Sequence, residues 1–471
     1  MLRVQPLVVR GLRCHSARLR CHSTRSAPAF ASYFFNNDQW TSAPLTAGFP
    51  PASALHPAPA SAFKPAPPLN ASRLVTIYAQ LAKRQLTVLN VLATMAAVAL
   101  CPLPIAESNA HALLSFADTL PPYAASVATL LATATGTALA SASANALNQL
   151  VEVPFDAQMA RTRNRPLVRR AISPLHAFLF AAITGTAGTL TLLLFVNPTT
   201  AALAAANIAL YAGPYTILKR RTIWNTWVGA VVGAIPPLMG WTACGGALWP
   251  TAGKPVSVFL PEWATGVWPM IQEAPVHVAS WLQVGTLSTL GPEALDNPLA
   301  WVGLFAFLFC WQFPHFNAFS YTVRASYAQA GYRMLAVLDP RRNARVGIRY
   351  LALLTASTTL LVPASGLTSW WLALTALPPA VVWGRSAIAW WGRGLGTGAA
   401  KNKAGEKVVG RLAGGGEKAA RDTFWHSLWY MPVVLALMMV HKTKVPDEEV
   451  KDGEKADEEA KEMSSHGETK E

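Results

Sequence analysis

From Leu86 onward the chain alternates apolar runs of about twenty residues with shorter polar segments, and about twenty residues is the length at which an α-helix crosses a bilayer. Nine such runs stand out, at about 86–106, 121–147, 173–196, 199–218, 226–249, 299–319, 346–364, 368–391 and 424–441. The pattern predicts an all-α multi-span membrane protein with nine transmembrane helices. Gly213-Pro214 interrupts the fourth run. In the fifth, Gly229 and Gly233 form a small-xxx-small face suited to close helix approach, and Pro236-Pro237 predicts a kink that opens a cavity. The flanks lack this pattern. Residues 1–37 carry six arginines and no acid, as a mitochondrial transit peptide does. Residues 38–81, with eight prolines between 44 and 68, read as a disordered Pro/Ala-rich linker. The helical domain then spans 82–441, broken by a loop at 250–298, and 442–471 is an acidic disordered tail.

Composition supports the pattern. Hydrophobic residues make up 52% of the chain and charged residues only 13%, against roughly 25% charged in a soluble domain. A soluble globule of 471 residues is thereby excluded. The net charge of +15 might suggest a nucleic-acid ligand, but its location argues otherwise. The loops 148–172, 219–225, 320–345 and 392–423, with Arg349, hold 21 Lys or Arg, whereas the alternate loops 107–120, 197–198, 250–298 and 365–367 hold only Lys254. That asymmetry is a topology signal, and a single missed helix would scramble it. In a mitochondrial inner membrane the basic side faces the matrix, placing the 250–298 loop and the C-terminus in the intermembrane space. Five dispersed cysteines without a C-x-x-C pair support neither a disulfide framework nor a zinc site.

Candidate chemistry gathers in three segments on the basic side. Asn148, Glu152 and Asp156 are spaced i, i+4, i+8 and line one face of any helix they share, although Pro154 is expected to break or kink it. Their hard oxygen donors suit Mg²⁺, and Arg161 and Arg165 follow with the geometry that grips phosphate. The same residues also read as a solvated loop of mutually satisfied ion pairs. Lys219-Arg220-Arg221 then ends the fourth run, as a phosphate clamp or as an ordinary membrane anchor. The third segment is Trp311-Gln312-Phe313-Pro314-His315-Phe316, followed by Tyr327-Ala-Gln-Ala-Gly331-Tyr332. Here His315 is either a structural hydrogen-bonding residue or a group that ligates or orients a heme. His176 and His426 are weaker candidates for that role.

In this order and spacing the segments resemble the protoheme IX farnesyltransferase (heme O synthase) family, of the intramembrane aromatic-prenyltransferase superfamily. The most specific parts are N-Q-x-x-E-x-x-x-D-x-x-M-x-R-T-x-x-R-P-L at 148–167, N-T-W-V-G-A-V-V-G-A-I-P-P at 225–237 and W-Q-F-P-H-F at 311–316. The resemblance implies nine helices around a central cavity open to the matrix and to lipid. It also implies transfer of the farnesyl group of farnesyl diphosphate to a vinyl group of heme B, giving heme O and pyrophosphate. Mg²⁺ is the implied cofactor, held with diphosphate by Asn148, Glu152 and Asp156. Arg161, Arg165, Lys219 and Arg220 would bind phosphate oxygens, and Asn225, His315 and Tyr327 complete the implied binding set. The implied partners are farnesyl diphosphate, heme B and the lipid bilayer, with heme A synthase or cytochrome c oxidase assembly factors as protein partners and no nucleic acid. Two segments depart from the family. A second acidic pair expected before Tyr327 is replaced by Ala325 and Ser326, so that either Asp339 substitutes, or one carboxylate cluster suffices, or the chain is impaired. The last helix carries Ser427-Leu-Trp-Tyr430 where the family often has Ser-Leu-Trp-His. The rival readings are another intramembrane prenyltransferase, such as a 4-hydroxybenzoate polyprenyltransferase, and a heme or anion carrier. A carrier is expected to hold its ionisable residues near mid-membrane, whereas here they collect at one mouth.

Overall fold

The computed structural model describes residues 69–102, 122–249, 255–267, 282–289, 295–394 and 415–443. The transit segment, most of the Pro/Ala-rich linker and nearly all of the acidic tail lie outside these residues. The main helices are α1 (Ala71–Leu81), α2 (Arg84–Leu100), α3 (Pro122–Asp156), α4 (Pro174–Phe195), α5 (Pro198–Arg221), α6 (Asn225–Ala243), α7 (Pro298–Thr322), α8 (Pro340–Ala364), α9 (Trp371–Gly392) and α10 (Gly415–Val440). Among the described residues, seven helices (α3, α4, α5, α7, α8, α9 and α10) are long and apolar enough to cross a membrane. The chain is therefore a multi-span, essentially all-helical membrane protein. The two remaining apolar runs appear as α2, of 17 residues, and α6, of 19.

Four helices start the same way. A short polar residue is followed at once by proline in Ser173-Pro174, Asn197-Pro198, Asn297-Pro298 and Asp339-Pro340. In each, the side-chain oxygen accepts a hydrogen bond from a first-turn N–H, of His176, Thr200, Leu299 and Arg342 respectively. Proline fits the next position because its fixed φ is already helical and the N–H it lacks would have had no partner there.

Prolines inside helices act less disruptively than expected. Pro154 does not break the helix: α3 continues to Asp156, and a lost bond two residues from a helix end costs little cooperative structure. At Gly213-Pro214 the helix widens into one π turn, Tyr211–Tyr215, and then resumes. The wider turn accommodates the proline without ending α5. The 250–298 segment, expected as a loop, contains two short parallel strands, β1 (Val256–Phe259) and β2 (Leu282–Gly285), paired from Val256 with Leu282 to Phe259 with Gly285. Asn297 Nδ2 donates to Ser257 O at 2.7 Å and Trp370 Nε1 to Phe259 O at 3.2 Å, so the pair caps the end of the bundle where α6 finishes and α7 begins.

Packing leaves a large space within the bundle. A cavity of about 540 Å³ lies between α2, α6, α7 and α10, walled by residues such as Leu89, Ala93, Pro237, Phe307, Trp311 and Met431. Gly240 brings α6 onto α2 so closely that a Cβ there would lie 2.1 Å from the Thr94 carbonyl oxygen. Pro237, buried in the middle of α6, forms part of the cavity wall.

Candidate active site

The last three turns of α3 carry Asn148, Glu152 and Asp156 along one face, all buried. Opposite them α5 presents Tyr211, Tyr215 and Lys219, again four residues apart. Buried charges need partners, and these have them. Lys219 Nζ donates to Glu152 Oε1 at 2.6 Å. The Arg165 guanidinium lies 3.7 Å from Glu152 Oε2 and donates to Asp156 Oδ2. Arg165 reaches inward because the chain turns tightly after α3, with Thr162 Oγ1 donating to the Asp156 carbonyl at 2.9 Å. Asn148 Nδ2 donates to Thr216 Oγ1 at 2.8 Å.

A third cation enters from elsewhere. Lys83 joins α1 to α2 in a left-handed backbone conformation, φ 48°. Its ammonium donates to Asn148 Oδ1 at 2.5 Å and to Tyr211 OH at 3.0 Å. Burial, and then the neighbouring Arg165 guanidinium, pull the Lys83 ammonium well below the ordinary lysine range. Burial also acts to lower Arg165, but Asp156 and Glu152 more than offset it and hold that group above its usual value. Three basic groups, Lys83, Arg165 and Lys219, thus surround two carboxylates, and an anion bound among them would favour the protonated form of Lys83. Charges in this cluster are buried, so they act on an incoming ligand with little screening.

Other expected site residues surround this cluster without entering it. Arg220 lies with its guanidinium 4.2 Å from the centre of the Phe155 ring, and Arg161 lies 5.4 Å from that of Phe319. Both leave their charge at the rim. Asn225 is fully buried, but its amide donates to the Thr222 carbonyl at 2.5 Å and the Arg333 carbonyl at 3.4 Å, tying the start of α6 to the segment before α8. Tyr327 packs edge-on against Tyr332, ring centroids 5.8 Å apart, and burial raises both phenols. His315 lines the cavity. The Asp339 carboxylate accepts from Arg342 N at 2.8 Å and caps α8. His176 is engaged by Tyr78 OH at 2.8 Å.

Lys83, Tyr211 and Tyr215 escaped the sequence reading. For the tyrosines a signal existed, since Tyr211, Tyr215 and Lys219 repeat the four-residue spacing of the acidic face. Lys83 offered none beyond its place before an apolar run.

Tyr215 connects charge to cavity. Its ring faces the Lys219 ammonium at 4.4 Å and also forms part of the wall of the 540 Å³ space. Gly229 makes room for it, since a Cβ there would meet the Tyr215 ring at 2.6 Å. Gly233 likewise receives Gln312, whose Oε1 would lie 2.2 Å from an added Cβ. Both glycines therefore serve packing.

A divalent cation fits the cluster. Asp156 Oδ1 is buried without a hydrogen-bond partner, a hard oxygen left open beside Glu152. Among the described residues no three or more His, Cys, Asp or Glu side chains gather as a metal cage. Mg²⁺ does not require one, because it takes one or two carboxylates and completes its shell with water and phosphate oxygens.

The profile of the UbiA prenyltransferase family matches residues 110–403, more than half of the chain. The chain belongs to the UbiA prenyltransferase family. Among UbiA-related sequences, a Yarrowia lipolytica protein named protoheme IX farnesyltransferase, mitochondrial, is 40% identical over 370 residues, covering 78% of this chain and 61% of the relative. A Neurospora crassa protein of the same name is 41% identical over 400 residues, covering 84% of this chain and 66% of its own length. The chain thus spans slightly less than two thirds of the curated relatives it matches. A solved digeranylgeranylglyceryl phosphate synthase superposes with a TM-score of 0.49 and 12% identity, over 78% of this chain and 98% of that one.

Proposed function

We propose that this UbiA-family chain transfers the farnesyl group of farnesyl diphosphate to a vinyl group of protoheme IX (heme B), releasing heme O and pyrophosphate. The observation that carries the reading is the continuity at Tyr215, where a buried cluster of three basic and two acidic side chains abuts a large apolar cavity. A prenyl diphosphate needs both environments at once, one for each end. The choice of heme as acceptor is supported by the names of the relatives from Yarrowia lipolytica and Neurospora crassa and by the Trp311–Phe316 segment.

Lys83, Arg165 and Lys219 bind the diphosphate oxygens, with Arg161 and Arg220 at the rim. Asn148, Glu152 and Asp156 hold Mg²⁺, and Asn148 frees its amide oxygen when Lys83 turns to phosphate. Bound Mg²⁺ supplies further neutralisation of charge on the leaving pyrophosphate. As the allylic carbon–oxygen bond breaks, the electron pair leaves with pyrophosphate and the carbon becomes cationic. Positive side chains fixed beside the departing group stabilise that charge in a site that excludes water. The cavity walls keep water from the cation, and the faces of Tyr215, Trp311 and Phe313 stabilise it. The electron pair of the vinyl bond then closes on the same carbon, which leaves the inner vinyl carbon cationic beside the porphyrin. One water adds there and gives up a proton to the released pyrophosphate, so heme B, farnesyl diphosphate and water are consumed as heme O and pyrophosphate form. His315 and Tyr327 belong to the acceptor side, and Asn225 holds the segment that carries Tyr332.

The same reading takes α2 and α6 as membrane spans, making nine around the cavity. It places the cluster at the matrix face of the mitochondrial inner membrane, with the C-terminus in the intermembrane space. Residues 1–37 are then a cleaved address, 38–81 a linker, 82–441 the catalytic domain and 442–471 an acidic tail. Heme A synthase or cytochrome c oxidase assembly factors receive the product. The test is to incubate membranes containing the protein with heme B, farnesyl diphosphate and Mg²⁺ and to follow heme O by mass. Heme O should form only with all three present. A folded preparation that makes none sinks the reading.

A further inference from the structure

Three side chains join α7 to α10 at the cavity wall. Trp311 and His315 stack with ring centroids 4.4 Å apart and planes at 18°. Both are held by Ser427, which is fully buried on α10. Trp311 Nε1 donates to the Ser427 carbonyl at 3.1 Å, and His315 Nδ1 lies 2.7 Å from Ser427 Oγ. Ser427 Oγ also lies 2.5 Å from the Phe424 carbonyl oxygen, one turn back on its own helix.

The proton count decides the imidazole tautomer. A serine hydroxyl carries one proton. Given to His315, that proton would leave Ser427 Oγ and the Phe424 carbonyl facing each other as two bare oxygens, which repel. Given to Phe424, it leaves the Ser427 oxygen as an acceptor, and the proton in the contact with His315 must then come from Nδ1. A neutral imidazole has only one N–H, so Nε2 keeps its lone pair. Among the described residues Nε2 has no hydrogen-bond partner, and His315 lines the apolar cavity.

We infer that Ser427 is a positioning residue that locks His315 in the Nδ1–H tautomer, presenting the Nε2 lone pair to the cavity as a ligand for the iron of a bound porphyrin. The free side chain in water favours the opposite tautomer, with the proton on Nε2, and would present no lone pair there. An imidazole that ligates a metal through one nitrogen is ordinarily oriented and made more basic by a hydrogen bond from the other. Here a buried hydroxyl accepts that bond and passes its own proton to a helix carbonyl. The identity of the ligand rests on the heme reading above, whereas the tautomer does not.

Two measurements on the full chain in lipid nanodiscs test the two parts separately. Histidine ¹⁵N spectra without heme, with His315 assigned by its loss in His315→Gln, read the tautomer directly. The wild type should show Nδ1 protonated and Nε2 bare, and Ser427→Ala should move population toward the Nε2–H form. A wild-type Nε2–H form, or no change in Ser427→Ala, overturns the role of Ser427. Titration with heme B, read at the Soret band, tests the ligand. Wild type should show histidine ligation, His315→Gln should lose it, and Ser427→Ala should weaken affinity by about tenfold, the low end for removing such a hydrogen-bond partner. Unchanged ligation in His315→Gln overturns iron coordination by His315 but leaves the transfer reaction standing. A wild type that binds no heme removes the acceptor reading and the iron ligand with it, whatever the tautomer. Unaltered protection of Ser427→Ala from proteolysis by farnesyl diphosphate shows that its site and fold are intact.

Discussion

At Asp156 one carboxylate oxygen is committed to Arg165 and the other has no hydrogen-bond partner. Replacing it with asparagine keeps the volume while removing the charge that both Arg165 and a cation would use. Asp156→Asn is expected to lower heme O formation by about a hundredfold or more, in line with losing one key charge-stabilising group. The protein should still reach the membrane as a monodisperse species. Activity above about one tenth of wild type would remove Asp156 from the metal site. Lys83 permits a second test, because no carboxylate is its direct partner: it donates to an amide oxygen and a phenol. Lys83→Met should therefore leave the carboxylate pairs intact yet weaken use of farnesyl diphosphate. A hydrogen bond to a charged group contributes about 1.5–3 kcal/mol, so kcat/KM should fall about ten- to a hundredfold. An unchanged value would place the diphosphate elsewhere.

At the scale of helices, contact distance separates glycines that must stay small from those that need not. A Cβ at Gly240 would strike the backbone of α2, which cannot move aside, whereas one at Gly384 meets nothing within 4 Å. Gly240→Leu should destabilise the protein by about 1–3 kcal/mol through overpacking, and Gly384→Ala should be near neutral, both read as thermal unfolding in detergent. Equal shifts for the two would mean that α2 and α6 separate readily. These elements also show what the chain discloses by itself. The apolar runs and the Asn148, Glu152, Asp156 face were legible because helix length and helical spacing are local properties. Helix starts were equally legible in the polar-residue-then-proline pairs, which locate them better than hydropathy does: α8 begins at Pro340 rather than near 346. What was hidden is what several helices assemble together. Lys83 lies 65 residues from Asn148 in the chain, and no periodicity links them. Ser427 pairs with His315 across 112 residues. The effect of proline was misread at Pro154 because its cost depends on how much helix remains beyond it.

For the molecule as a whole, charge and caps divide the two ends of the bundle. The turn after α3 belongs to the basic, chemically active end, and the strand pair with the helical turn Glu262–Val267 belongs to the other. Three helices, α4 to α6, separate them. Asn164 is exposed at the first end and Trp263 is 87% exposed at the second. In a chain freed of Cys14 and Cys21, with Cys101, Cys244 and Cys310 left buried, Asn164→Cys should react with an impermeant maleimide only from the matrix side. Trp263→Cys should react only from the intermembrane space. Labelling of both from one side would mean an even number of crossings between them and would overturn the topology. Residue 83 meanwhile carries a conflict across the history of the molecule. A left-handed backbone costs a lysine roughly 1–2 kcal/mol that a glycine would be spared, yet glycine has no ammonium to offer. Random mutation screened only for a sturdier fold will therefore drift toward glycine at this codon and slow the enzyme, while selection for turnover will keep restoring an uncomfortable lysine.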